Sequence, residues 1–438
     1  MDTSSRLQQR LSAVYSGGSL TETSGLVSSR TRLTGFSWYQ GMLVTLFCSA
    51  MCASTLAYSI IAPFFPRLAN SKGLGQGQVG LIFGIFHLVM FLAAPVCGRS
   101  MSKVGTKIAF CAGLFLNGAA IIWFGLLMSA PGGILFFALA LIIRCLEGVG
   151  DAAFVTALYA MTNEKFPHKT DTVMGLLKVF SGLGLVLGPA FGGILHHLGS
   201  YQTPFLFLGT TLLIVAAAAV VIVRPQMASS SEDRYNYSAL LGLLKSPGII
   251  LLLAAVSLCA STLPFVDTIL EPHARKVGLT SITIGLIFVA MYASYVLSSP
   301  AVGYVMDKTG WSLLIVVVGA SGTSAAMAAF GPSHLLAASV EKSLVTVALS
   351  VVAMGVAVAF FDVPAFDALT DSARSADRNH VWEPSSKYGA ISGLHQLAWA
   401  FGGFCGPSIG GWAVQLMGMP KYASCLSGLY LAMASDGD

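Results

Sequence analysis

The chain has 438 residues, of which 55% are hydrophobic and 10% charged, with a formal net charge of +5 and a mean hydropathy of +0.76. Soluble domains run at about 45–50% apolar and about 25% charged, so this composition excludes a water-soluble globular protein. It describes a chain that passes through lipid many times.

Residues 1–41 are rich in Ser and Thr with scattered arginines and hold no apolar core of signal-peptide type, which reads as an uncleaved, disordered cytoplasmic tail. Apolar runs near the roughly 20 residues a helix needs to cross a bilayer then fall at 42–63, 79–98, 108–128, 133–157, 172–194, 203–223, 247–270, 283–304, 313–332, 344–366 and 388–412. They divide into an N-terminal helical bundle over 42–223, a polar linker over 224–246 and a C-terminal bundle over 247–438. In the linker, Ser229–Asp233 reads either as a phosphorylation site or as plain solvated chain. The last apolar run, Tyr422 to Ala434, reaches about 20 Å as a helix, short of a ~30 Å hydrocarbon core. The expectation is therefore eleven full spans and a truncated twelfth, from a fragment, an alternative transcript or a misplaced exon.

Lys and Arg set the orientation. With the N-terminus cytoplasmic, the cytoplasmic segments hold sixteen of the 24, the opposite loops hold six, and Arg144 and Lys178 lie within spans. This topology puts the sequon at Asn236 in the cytoplasm, where it goes unglycosylated. The eight cysteines lie in or at the edge of spans without a CxxC pair, so neither a disulfide between loops nor a metal site is expected. No cofactor and no nucleic-acid partner are expected either.

The chain also repeats itself. Gly175, Gly184, Gly188, Pro189, Gly192 and Gly193 recur 218 residues later as Gly393, Gly402, Gly406, Pro407, Gly410 and Gly411. Gly80–Phe83, Pro95, Gly98, Lys103 and Gly105 recur 205 residues later as Gly285–Phe288, Pro300, Gly303, Lys308 and Gly310. Equal order and spacing mean two homologous halves in a parallel repeat about an axis along the membrane normal. Small residues at helical spacing let a neighbouring helix approach to backbone contact.

These repeats resemble the major facilitator superfamily over essentially the whole chain after the tail. Gly303–Gly310, with Asp307 and Lys308, is similar to its loop signature between the second and third helices of each half, which implies a charge contact gating the cytoplasmic face. Ser102 stands where the first copy would carry the acid. Arg144–Gly150 is similar to the fourth-helix signature of proton-coupled members, and the glycine-proline clusters resemble the fifth-helix motif of antiporters. Tyr58–Pro66 and Phe180–Pro189 resemble the vesicular amine transporter family, solute carrier 18, and especially its polyamine branch. The first helix has no acid, as in that branch, whereas Asp267-Thr268-Ile269-Leu270 lacks the proline that usually follows the acid of helix seven. The resemblance implies an all-α major-facilitator fold of two pseudo-symmetric six-helix bundles, loading a polyamine or other amine into acidic vesicles against protons. It implies no enzyme activity, a monomer, and a vesicle or other acidic organelle membrane, with the plasma membrane as the alternative.

Ionisable residues inside spans cost roughly 2.5–3.5 kcal/mol each at a helix centre, so each needs a partner or a task. In helix four, Arg144 and Glu147 share a face at i, i+3 and Asp151 extends it at i+4. The pair is either self-neutralising or part of a proton path, and one arginine leaves one of the two acids in surplus. Asp267 and Glu271 near one end of helix seven, and Asp362 and Asp367 near the inner end of helix ten, are expected to lack basic partners. Asp267 and Asp362 read as substrate or proton sites, Glu271 and Asp367 as wetted helix ends. A buried carboxylate that holds either a proton or a cation is the physical basis of antiport. Tyr58, Tyr292, Tyr295, Phe265 and Trp399 offer π-faces to an ammonium group or else are ordinary packing. Lys178 either neutralises a helix-four acid or reaches for the interface, and His87 either titrates or is merely hydrogen-bonded. The competing readings are a carrier of neutral or anionic solutes, and a truncated form without transport.

Overall fold

The structure, a computed structural model, describes residues 37–167, 169–224, 244, 246–276, 278–331, 344–376 and 384–435. The tail and the linker features at Ser229–Asp233 and Asn236 lie outside them. The packed helical body lies within Leu43–Asp438.

The described residues hold twelve long helices and no strand. They are α1 (Trp38–Ser59), α2 (Gln76–Val104), α3 (Thr106–Leu126), α4 (Ile134–Lys165), α5 (Thr170–Leu198) and α6 (Gln202–Ile222), then α7 (Pro247–Lys276), α8 (Ser281–Thr309), α9 (Ser312–Phe330), α10 (Leu344–Ala376), α11 (Pro384–Met417) and α12 (Met419–Ser435). A seven-residue helix, Phe65–Ser71, follows α1. Nine of the twelve are long and apolar enough to cross a membrane. The exceptions have visible causes: α4 carries three ionisable residues mid-helix, α11 is rich in glycine with His395 and Gln396, and α12 has 17 residues. The fold is that of an all-α polytopic membrane protein. Large apolar side chains such as Val221, at 85% exposed, and Leu416, at 80%, face outward, a surface that lipid stabilises and water would not.

The repeats of the sequence return as repeats of contact. A side chain at Gly184 would stand 2.6 Å from the Cys52 carbonyl oxygen of α1, and one at Gly188 2.9 Å from that of Leu56. In the second half, Gly402 and Gly406 press as closely on the carbonyls of Ser257 and Ser261 in α7. The glycines are displaced by 218 and their partners by 205, the two offsets of the sequence. Chain ends repeat likewise. Gly105 ends α2 at φ +88° and Gly310 ends α8 at φ +67°, and their N–H groups donate to the Met101 and Met306 carbonyls, each at 2.8 Å. A left-handed residue closing a helix is the reason for glycine there.

The halves meet through α2 against α11 and α5 against α8. Along the first seam the Gly77 N–H donates to Gln415 Oε1 at 2.9 Å, Gly80 abuts the Pro407 carbonyl, and Gly84 lies against Phe404 and Ser408. These contacts gather at the end of the bundle that bears Lys72, Ala130 and Gly418, which we call the sealed end. Along the second seam, Gly285 approaches the Pro189 carbonyl to 3.5 Å. Toward the opposite, open end the packing loosens, and a side chain at Gly175 or Gly303 would meet nothing within 4 Å; one at Gly193, near the sealed end of α5, also meets nothing. Gly175 and Gly193 were expected at helix contacts and make none there. The short α12 is held by the Tyr430 hydroxyl, which donates to the Leu258 carbonyl at 2.8 Å, and by Ser427, which meets Ser324 of α9.

Candidate functional site

The charged residues of α4 face inward. Arg144 is fully buried and Glu147 is 1% exposed, and Arg144 Nη1 donates to Glu147 Oε2 at 2.8 Å. Arg144 Nε reaches the Ile82 carbonyl at 3.3 Å, and its guanidinium lies 4.7 Å from the Phe86 ring centre and 5.8 Å from that of Tyr58. Aromatic faces stabilise a cation that water cannot reach. Asp151, one turn on, turns away from this pair. Its Oδ1 accepts from Ser54 of α1 at 2.6 Å and from Asn117 Nδ2 of α3 at 3.1 Å. The surplus acid expected of the α4 stripe is thus held by neutral donors inside the N-terminal half.

On the facing half, α8 supplies two tyrosines one turn apart. The Tyr292 hydroxyl donates to both oxygens of Asp267, at 2.7 and 2.8 Å. The Tyr295 hydroxyl donates to Asp362 Oδ2 at 2.8 Å, and Trp399 Nε1 of α11 donates to Oδ1 at 3.3 Å. Among the described residues neither acid has an ion pair within 4 Å. Asp267 is 1% exposed and lies within electrostatic reach of Arg144 and Tyr58 across the seam. Asp362 is half-buried and stands mid-helix in α10, at the nineteenth of 33 residues. It is therefore central rather than at the inner end of its helix, because α10 extends ten residues beyond the apolar run. Tyr58 joins the cluster through its hydroxyl, 3.1 Å from His87 Nε2, and the His87 and Trp399 rings lie 6.2 Å apart.

Two expectations meet different surroundings. Glu271, read as a wetted helix end without a base, is 1% exposed and paired with Arg275 one turn on. The run of apolar residues hid this partner, since Arg275 lies just past it. Lys178 is exposed and forms none of the ion pairs above. Around the loop signature, Lys308 Nζ lies 4.5 Å above the Tyr304 ring, and the Asp307 side chain lies outside the described atoms. Three participants were missed: Ser54, Asn117 and His395. Asn117 was detectable as a lone amide in an apolar span, whereas nothing in sequence distinguishes Ser54 from other serines of α1.

Residues 47–407 match the family described as Major Facilitator Superfamily. The mouse protein named MFS-type transporter SLC18B1 is 31% identical, over 95% of this chain and 88% of its own. The human synaptic vesicular amine transporter is 25% identical, over 78% of this chain and 62% of its own. Among solved structures, a bacterial homologue of the human lysosomal transporter Spinster, inward-facing and unoccupied, aligns with a TM-score of 0.72 at 14% identity, covering 92% of this chain and 97% of that one.

Proposed function

The chain belongs to the major facilitator superfamily, within it to the solute carrier 18 family, and from that premise we propose that it is a secondary transporter exchanging an organic cation, a polyamine or another amine, for protons. The observation that carries this reading is the state of Asp362: a half-buried carboxylate between the halves, held by a hydroxyl and an indole N–H and by no cation. A carboxylate so placed attracts one positive charge, either an ammonium group or a proton. Asp267, one tyrosine deeper toward the sealed end, offers a second such place. Tyr58, Tyr292, Tyr295 and Trp399 line the way with π-faces suited to ammonium groups. Arg144 and Glu147 link the deep acid to the N-terminal half, and Asp151 and Glu271 serve to hold helices in place.

The packing supports alternating access. One end is shut by the α2–α11 seam, the packing loosens toward the other, and rocking of the halves would reverse this. The charge bias makes the open end cytoplasmic, with the N-terminus on that side. In this reading the working unit is a monomer of two bundles, residues 42–223 and 247–438, in the membrane of a vesicle or other acidic organelle. The names of the amine-transporting relatives point the same way.

Proteoliposomes with an imposed inside-acid gradient test the reading. Polyamines, monoamines, sugars and organic anions would be offered in turn. Uptake of an amine that collapses with a protonophore is the expected result. Uptake of sugars or anions alone would return the protein to the neutral or anionic solutes, and no uptake at all to a form without transport.

A further inference from the structure

One turn along α11 from Trp399 stands His395, which takes no part in the hydrogen bonds described above. Its Nε2 is shut off from solvent and has no hydrogen-bond partner, while its ring meets that of Phe366 edge-on, centroids 5.6 Å apart. Phe366 follows Asp362 by one turn of α10. The two helices therefore make successive rungs, Asp362 with Trp399 and Phe366 with His395. The second rung is nearer the open end, because α10 runs toward that end and α11 away from it. A cation entering from the open end reaches the imidazole before the carboxylate.

The charged groups acting on this ring come from both halves. Asp362 of α10 and Lys178 of α5 lie within electrostatic reach of it. From α7, the titratable residue between Pro247 and Val266 is the buried thiol of Cys259, and from α2, His87 stands at the level of Trp399. A buried nitrogen without a partner costs about 1–3 kcal/mol. An imidazolium would recover that cost by sharing its charge with Asp362, which is the same charge a substrate ammonium would supply.

We propose that His395 sets the exchange between proton and substrate: its imidazolium and the substrate's ammonium compete for the Asp362 carboxylate, so that a proton on Nε2 bars the cation from the site. The proposal rests on the amine-antiport reading. Release of that proton to the open side frees Asp362 for the next cation. Because Lys178 belongs to one half and Asp362 to the other, rocking changes the balance of repulsion and attraction on the ring. The proton is thereby tied to the conformation.

The test is the KM for spermidine in proteoliposomes, with the pH on the open face varied across about 5 to 8, where an imidazole titrates. Wild-type KM should rise about tenfold for each pH unit on the acid side of that titration, as one-proton competition requires. His395→Gln should make KM independent of pH, and His395→Lys should hold it high throughout. A His395→Gln protein that keeps the wild-type pH dependence overturns the proposal. A second reading needs no substrate: the tryptophan emission of purified protein, less that of Trp399→Phe, should step as the imidazole takes up its proton, and His395→Gln should abolish the step. Absence of the step in wild type also overturns the proposal. A wild type that takes up no amine sinks the antiport reading and the competition with it, while the emission step separately decides whether the proton resides at His395.

Discussion

The two halves solve the same problem, burying acids in a membrane protein, by opposite means. In the N-terminal half Glu147 has a cation of its own and Asp151 has two neutral donors from within that half. In the C-terminal half Asp267 and Asp362 have only neutral donors, with Arg144 of the other half in electrostatic reach of the first and His87 beside the Trp399 that holds the second. The first arrangement is closed, since every charge is answered by a residue that moves with it. The second leaves negative charge beside the path, so it answers to what arrives. Buried charge alone therefore does not mark a transport site; a carboxylate without a cation of its own, placed where the halves face each other, does.

The sharpest way to break this contrast is at the closed pair. Glu147→Gln leaves a buried guanidinium without a counter-charge and should lower stability by about 3–5 kcal/mol, read as a fall in the melting temperature of purified protein. Replacing both partners by methionine should restore most of that stability, because burying neither charge avoids the penalty. Equal melting of Glu147→Gln and wild type would mean that the N-terminal half is not closed.

Asp362→Asn should act on function instead. Uptake of a cationic substrate should fall at least about tenfold, equivalent to 1.4 kcal/mol of binding, with melting little changed. Asp267→Asn belongs to the same comparison, and if both variants transport normally, the open carboxylates are not the cation sites. Tyr295→Phe should be milder. It removes one hydrogen bond worth about 1 kcal/mol and should raise KM for the amine roughly fivefold, measured on initial rates. Asp151→Asn should be mildest of all. Interhelical hydrogen bonds in membranes average about 0.6 kcal/mol, and uptake should stay within about twofold of wild type. A tenfold loss there would move Asp151 from scaffold to proton path.

The helices and the doubling of the chain were legible from sequence because both depend on one-dimensional quantities, run length and spacing. The 205 and 218 offsets reappear as contacts because small residues admit only one kind of close helix packing. Charge partnership was not legible in the same way. That Arg144 and Glu147 share a face follows from i, i+3 spacing, but Ser54 and Asn117 reach Asp151 from other helices, 97 and 34 residues away. Glu271 and Arg275 were within one turn of each other, yet a window drawn around apolar residues ended at residue 270 and left both outside it. His395 escaped notice because its significance lies in the rung it shares with Phe366, a matter of the register between α10 and α11 that neither sequence carries alone.

The twin seams carry an implication about ancestry and tolerance. Gly80 against Pro407 and Gly285 against Pro189 are one contact written twice, with the partners exchanged between halves. That is the signature of an isologous interface, in which residue i of one protomer meets residue j of the other and j meets i. The molecule is in this sense a two-fold dimer whose subunits have been fused into a single chain. Fusion releases the two copies from identity: alanine at position 285 has room of ordinary van der Waals contact, while alanine at position 80 collides with backbone. A substitution that a symmetric dimer would suffer at both interfaces or at neither can here be accepted on one side alone, and the looser seam is the side on which sequence is free to drift.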